Sequence, residues 1–356
     1  MKVAFLTRYG RRGASSRVRA MQFAPALSAL GIESVFLPLL GDAYLDALYR
    51  GRWPLTIVAG SFTQRLRTIG AARRCDLIWV EKELLPFVPA AFESWLLRAR
   101  GYVLDFDDAL FHNYDLSRSA FVRRILGRKI DRLMAAARLV TVGNAYLEAR
   151  AVAAGAVRVE RLPSAVDLDR YPEPVGKRRP AAPGSAVVVV WVGSPATVRY
   201  LEIVREPLQR LASRAPLHLR VIGAPAPRWA GVPAISIDWS ADTEAAQIAS
   251  GDIGIMPLTD GPWERGKCGY KLIQYMACGL PVVASAVGIN SEIVADGVDG
   301  LLAASAEQWE TSLERLALDA VLRDDMGRRG RTKVEAQYSV QVIAPRLAGL
   351  LREAAG

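Results

Sequence analysis

Short β-branched and apolar runs alternate along the chain with stretches in which apolar residues recur every three or four positions. The first pattern predicts buried strands and the second predicts helices packed over them. In the first half, residues 3–7, 33–37, 77–80, 102–106 and 139–142 are expected to be strands, with helices at 16–29 and 119–137. In the second half the alternation restarts with strands at 187–192, 217–222, 235–238, 254–257 and 282–285 and a helix beginning at Thr197. Strand–helix alternation of this kind builds parallel, doubly wound sheets of the α/β class. Between the halves it lapses around Pro163, Pro172, Pro174, Pro180 and Pro183 and the basic run Lys177, Arg178, Arg179. A linker at 166–184 is therefore expected, separating a domain at 1–165 from one at 185–340, with a terminal helix at 341–356 packing back toward the first domain. The competing reading makes the lapse a long surface loop of one large domain.

Length supports the division, since 356 residues exceed what one hydrophobic core usually spans. A composition of 51% hydrophobic residues with charge spread throughout is that of a folded, globular chain. Cys75, Cys268 and Cys278, with only two histidines, lack the spacing of a zinc site or a disulfide framework. The opening run MKVAFLTRYGRR places its arginines after the apolar residues, the reverse of a secretory leader. No uninterrupted apolar stretch approaches the ~20 residues that span a bilayer, which predicts a protein of the cytoplasm or of a membrane surface. A formal charge of +10 calls for an anionic partner: nucleic acid, anionic lipid or a phosphorylated small molecule.

Candidate chemistry concentrates in 266–285. Gly269 opens a helix whose first turn carries unpaired N–H groups, and Gly279 and Pro281 end it before a buried strand. Flanked by Lys267 and Lys271, that helix start is a diphosphate cradle. Lys271, Gln274 and Cys278 recur on one helical face, so Gln274 is expected to look the same way as Lys271, while Leu272, Ile273 and Met276 form core. Gly193 and Gly223 close strands at the edge where doubly wound sheets bind ligands. In the first half, Gly10 and Gly13 follow the opening strand and precede Ser15, Ser16, Arg17 and Arg19, which reads as an acceptor-side loop or as a generic turn with solvated arginines. Asp105, Asp107 and Asp108 end a later strand, where three acids are expected to raise one another's pKa. His112 reads as structural or surface.

At 266–285 the chain resembles the retaining glycosyltransferases of family 4, in which a helix ends in Met-Ala, a small residue, Gly, an apolar residue and Pro-Val-Val. The 252–258 run, the Val192-Gly193-Ser194 turn and the 287–292 run resemble family positions in the same order. The resemblance implies a GT-B fold, two Rossmann-like domains facing a central cleft, with a nucleoside-diphosphate sugar on the C-terminal domain. It implies donor-binding roles for Gly193, Ser194, Arg199, Gly223, Pro257, Lys267, Gly269, Tyr270, Lys271, Gln274 and Glu292, with Arg199 and Lys271 toward phosphate. Asp107 stands about where many members carry a histidine near the transferred sugar, so Asp107 and Asp108, with Lys271, are the implied catalytic residues. Gly13, Ser15, Ser16, Arg17 and Arg19 fall on the acceptor side. The family's paired glutamates, however, fall on Gly266 and Gln274, so neither carboxylate is present.

The implied activity is sugar transfer, with retention, from a nucleotide sugar to a hydroxyl acceptor such as a lipid-linked or cell-envelope glycan. No metal and no cofactor are expected, because lysines and a helix start supply the charge. Three other readings stay open: an Asp105/Asp107 metal pair as in the other major glycosyltransferase fold, a GT-B nucleotide-sugar epimerase, and a basic membrane- or nucleic-acid-binding protein without catalysis. No recognition-helix or zinc-finger signature supports nucleic acid. The basic segments 50–74 and 118–138, interleaved with apolar residues, suit an anionic membrane surface better.

Overall fold

The computed structural model describes residues 1–49, 55–98, 101–171 and 185–356. Most of the expected linker, including Pro172, Pro174, Lys177, Arg178, Arg179, Pro180 and Pro183, and Arg50 of the first basic segment, lie outside the described residues. The described residues form two compact units, the first comprising 1–165, 266–268 and 340–356, the second 166–265 and 269–339.

In the first unit the strands are β1 (Lys2–Leu6), β2 (Glu33–Phe36), β3 (Leu77–Glu81), β4 (Tyr102–Phe106), β5 (Leu139–Val142) and β6 (Val159–Arg161). They pair in parallel in the order β2-β1-β3-β4-β5-β6. Their near-continuous apolar runs follow from burial on both faces. Alternate residues serve opposite layers: Ala4, Leu6, Ile78, Val80 and Leu104 pack on one side, and Val3, Phe5, Leu77, Trp79 and Val103 on the other. That second layer is closed by Ile343, Leu347 and Leu351 of the helix Val340–Ala355.

The second unit contains β7 (Val187–Val192), β8 (Leu217–Ile222), β9 (Ala234–Ile237), β10 (Ile253–Met256), β11 (Val282–Ser285) and β12 (Gly300–Ala303), parallel and in the order β12-β11-β10-β7-β8-β9. Each sheet therefore has one switch point, where successive strands leave in opposite directions. It lies between β1 and β3 in the first unit and between β7 and β10 in the second. Ligands of such sheets bind beyond the carboxyl ends of the strands at that point.

The expected helices divide where the sequence departs from helical geometry. Residues 16–29 form Ala14–Arg19, a 3-10 turn Met21–Phe23 and Ala24–Ala29, with a break at Ala20, whose φ is −133°. Pro25 sits in the first turn of the last piece, a position where its missing N–H costs nothing. Residues 119–137 split into Ala120–Leu126 and Lys129–Ala136 around Gly127 and Arg128. The helix expected from Thr197 begins as a 3-10 segment, Val198–Val204, and becomes α-helical only at Arg205–Ala212. The edge strands β6 and β12 were not expected from the sequence pattern. β6 has three residues, of which Val159 alone is apolar, and β12 has four, opened by Gly300.

Candidate functional site

At the switch point of the first unit, the turn after β1 is shaped by the close approach of Gly13 to Tyr9. A Cβ on Gly13 would lie 2.2 Å from that of Tyr9. The helix that follows turns Ser15 and Ser16 onto the buried carboxylate of Glu81 at the end of β3, and both hydroxyls donate to it. Arg8 N–H donates to the same carboxylate at 2.8 Å. Burial raises the Glu81 carboxyl above its ordinary value against the opposing pull of Lys82 and the serine hydroxyls. Arg17 reaches back to the carbonyl of Arg11 at 3.2 Å. Of the expected acceptor-side residues, Ser15, Ser16 and Arg19 are thus bonded to acids of this unit.

Arg19 in particular is not a solvated arginine. It is 2% exposed, its Nε and Nη2 donate to both oxygens of Asp105 at 2.9 and 2.6 Å, and its Nη1 donates to the Leu162 carbonyl at 2.8 Å. Thr141 Oγ1 donates to Asp105 at 2.6 Å. Asp105 is therefore fully engaged by side chains of its own unit.

Asp107 and Asp108 meet a residue that the sequence reading did not single out. Lys82, immediately after β3, places its Nζ 2.8 Å from Asp107 Oδ1 and 3.3 Å from Asp108 Oδ2. Burial alone would raise the Asp107 carboxyl, but Lys82 and then Arg19 outweigh it and hold Asp107 below the usual carboxylate value. Burial, reinforced by Asp107, pushes Asp108 up against the pull of Lys82 and Lys267. The expectation that the acids raise one another holds for Asp108, which Asp107 helps push up, and is corrected for Asp107, which moves down. The one hint in the sequence is the charged run Glu81-Lys82-Glu83 directly after a wholly apolar strand.

The segment 266–268 belongs to this unit. Asn144 Nδ2 donates to the Lys267 carbonyl at 2.8 Å, and Lys267 Nζ lies 4.0 Å from Asp108 Oδ1. Gly266 accounts for one missing family glutamate, because a Cβ there would sit 2.4 Å from that of Ala109 and 2.7 Å from its backbone nitrogen. Lys267 thus stands beside Asp108.

In the second unit, Gly193 and Ser194 follow β7 and Pro257 follows β10, on the two sides of its switch point. Both expected glycines have packing reasons of their own. A Cβ on Gly193 would lie 2.4 Å from the Trp191 ring, and one on Gly223, whose φ is +85°, would lie 2.5 Å from the Gly193 carbonyl oxygen. Gly269 is the left-handed N-cap of the helix Tyr270–Ala277, with φ +64° and Ile293 where a side chain would go. Lys271, in the first turn, sets its ammonium 4.7 Å from the centroid of the Trp191 ring, within cation–π range.

Gln274 and Lys271 part company. Gln274 is buried and its Nε2 donates to the Tyr171 hydroxyl at 2.8 Å, while Cys278 faces the Ala245 carbonyl. Burial raises the Tyr171 hydroxyl well above its ordinary value. Arg199 is exposed, with its guanidinium 5.1 Å from the centroid of the Tyr200 ring. The Tyr200 hydroxyl donates in turn to the buried Glu264, another residue the sequence reading missed. Glu292 is exposed and Tyr270 partly exposed. His112 is structural, bonded to Asp115 and to the Tyr146 hydroxyl at 2.8 Å each.

Two parallel six-stranded α/β units in one chain define the GT-B architecture, with two Rossmann-like domains. Residues 186–319 match the family described as "Glycosyl transferases group 1", and this part of the chain is a domain of that family. The Paenarthrobacter aurescens D-inositol 3-phosphate glycosyltransferase is 34% identical over 94 residues, which are 26% of this chain and 22% of the relative. The enzyme of that name from Geodermatophilus obscurus is 28% identical over 169 residues, 40% of this chain and 36% of the relative. The chain thus matches well under half of the length of these curated relatives. Among solved structures, sucrose-phosphate synthase from Thermosynechococcus elongatus superposes with a TM-score of 0.73 at 16% identity, over 99% of this chain and 98% of that one. Anabaena HepE in complex with UDP and glucose superposes at 0.72 and 16% identity, over 99% and 100%.

Proposed function

We propose that the chain is a glycosyltransferase that moves a sugar, with retention, from a nucleoside-diphosphate sugar to a hydroxyl acceptor. The observation that carries this reading is the glycine-capped helix Tyr270–Ala277, whose first-turn Lys271 lies over Trp191, in a domain of the glycosyl transferases group 1 family. A helix start with a lysine is suited to a diphosphate and to the negative charge that grows on it as the sugar leaves. On this reading Lys271 meets the diphosphate, the turn at Gly193 and Ser194 lines the nucleotide, and Asp107 and Asp108 serve the acceptor hydroxyl and the developing positive charge on the sugar.

No metal takes part in this proposal. A metal held by Asp105 and Asp107 would have to displace the ion pairs of Arg19 and Lys82. The direct test is thermal unfolding against a panel of nucleotide sugars, starting with uridine diphosphate sugars because HepE binds UDP and glucose. A true donor at 100 times its dissociation constant stabilises the fold by about 2.7 kcal/mol. Transfer should persist in chelator. No stabilisation by any nucleotide sugar would reject the reading, and loss in chelator restored by manganese would favour the metal pair. Conversion of the donor without acceptor would point to an epimerase.

The acceptor we propose is lipid-linked or a cell-envelope glycan, reached from a cytoplasmic membrane face. Phe121 and Ile125 are 74% and 48% exposed on the helix Ala120–Leu126, among exposed Arg118, Arg123, Arg124, Arg128 and Arg132. The surface is narrower than the sequence suggested. Lys129 and Leu133 are buried, Lys129 between Glu83 and Glu93 at 2.6 and 2.7 Å, and Arg65 is buried on the Thr7 and Leu37 carbonyls. Among the described residues no helix is long and apolar enough to cross a membrane. Flotation with liposomes is expected to rise with anionic lipid and fall with salt, and to drop on Phe121→Ser/Ile125→Ser. Flotation indifferent to lipid charge would remove the membrane from the proposal.

A further inference from the structure

Lys82 occupies a backbone conformation that an L-residue rarely adopts. Its φ is +65°, in the left-handed region, where Cβ crowds the backbone of any residue other than glycine. Its own N–H donates to the Asp105 carbonyl at 2.8 Å, so the twist begins while the chain is still bonded to β4. The turn swings the side chain toward the loop after β4, where its ammonium is held at 8% exposure between the two carboxylates. A buried ammonium is expensive unless paired, and two neighbouring carboxylates repel unless a cation stands between them. Each group thus removes the cost of the others. The carboxylates are not equivalent, since the Asp107 side chain is 13% exposed and Asp108 is 29% exposed with Lys267 as its second cation.

We infer that Lys82 is a positioning residue of the proposed transfer site, pinning Asp107 as a fixed inward anion and leaving the outer Asp108 as the carboxylate presented to the acceptor hydroxyl. This rests on the glycosyltransferase reading. The other charged or titratable groups around the pair are Arg19 from the first helix, Glu81 from β3, Asp105 from β4, and Lys267 and Cys268 from the 266–268 segment. Arg19 is committed to Asp105 and Glu81 to the two serines. Lys82 is thus the cation placed between Asp107 and Asp108, within 2.8 and 3.3 Å of their oxygens. The depressed Asp107 carboxyl and the raised Asp108 carboxyl agree with that division.

The experiment compares wild type, Lys82→Met and Lys82→Arg in the full chain by two readouts. The first is the pH profile of kcat/KM for transfer. Removing the cation favours the protonated carboxyls, so the acid limb of Lys82→Met should move to higher pH by roughly one to three units, with Lys82→Arg staying near wild type. The KM for donor should change little in either variant, because Lys271 lies in the other unit. The second readout is the melting temperature as a function of pH, which needs no activity. A carboxyl whose folded pKa is depressed contributes stability above its unfolded value of about 4 and loses it as pH falls. Without Lys82, burial leaves both carboxyls raised above that unfolded value, so the variant also loses stability as pH rises through it, and the deficit of Lys82→Met should grow from below about pH 4 up to about 7. An unshifted acid limb together with a pH-independent deficit would overturn the inference and leave Lys82 a merely structural lysine. Should Lys82→Met not fold, Lys82→Gln takes its place. If wild type transfers no sugar while the pH-dependent deficit appears, the coupling stands and the glycosyltransferase reading fails.

Discussion

Lys271→Ala is expected to cut kcat/KM by on the order of 100-fold or more, about 3 kcal/mol, with little change in melting temperature. Lys271 lies in the first turn of Tyr270–Ala277, where N–H groups and the helix dipole already favour an anion. Its ammonium rests on the face of Trp191, which is buried, so the charge is presented from a rigid platform. Negative charge on a leaving diphosphate is greatest in the transition state, and a lysine that meets it there lowers the barrier more than it tightens the ground state. The loss should therefore fall mainly on kcat, with a smaller rise in KM for donor. Lys271→Arg should recover part of the rate, since charge is retained while the compact ammonium is replaced by a planar fork. Steady-state kinetics on the alanine variant decide the matter, and turnover near that of wild type would remove Lys271 from the donor site.

Arg19→Ala should act on folding. It leaves the Asp105 carboxylate buried with Thr141 as its remaining bonded side chain, and orphans the Leu162 carbonyl. Breaking a buried pair on one side costs about 3–5 kcal/mol, because the other charge stays behind without compensation. For a unit of this size that corresponds to a fall in melting temperature on the order of 10 °C. Arg19→Lys should recover only part of it, since a single ammonium cannot make the two-pronged contact and also reach the carbonyl. Calorimetry that shows the alanine variant melting within a degree or two of wild type would mean that water enters and solvates Asp105. Donor affinity, measured separately, should be unaffected.

The alternation of strand and helix was legible because strands covered on both faces must be apolar throughout. Val187–Val192 and the stretches 77–80 and 102–104, which precede the buried acids Glu81 and Asp105, carry that demand in their composition. The glycines of the second unit were legible as turn or close-approach positions. Their immediate causes, the Trp191 ring beneath Gly193 and Ile293 beneath Gly269, come from elements elsewhere in the chain. Helix boundaries were partly visible in retrospect at Pro25 and Gly127, which interrupt otherwise periodic stretches. Pattern reading favoured one long helix in each case because the apolar spacing continues across the break.

Charge was the least legible property. Arg19, Lys82 and Lys129 look in sequence like any other basic residues of a chain with a net charge of +10, yet all three are buried against acids. Arg19 finds Asp105 across 86 positions and Lys129 finds Glu83 across 46. Such pairings depend on which strand ends lie side by side, and the sheet order β2-β1-β3-β4-β5-β6 is a property of the whole unit. Composition and periodicity thus determined the α/β class and the ends of strands where chemistry gathers, because burial of apolar surface acts locally and leaves its period in the residues. Which acid meets which base, and so which carboxyl of Asp107 and Asp108 is pulled down and which is pushed up, was decided only by tertiary structure, because electrostatic pairing and desolvation depend on distances the linear order does not contain.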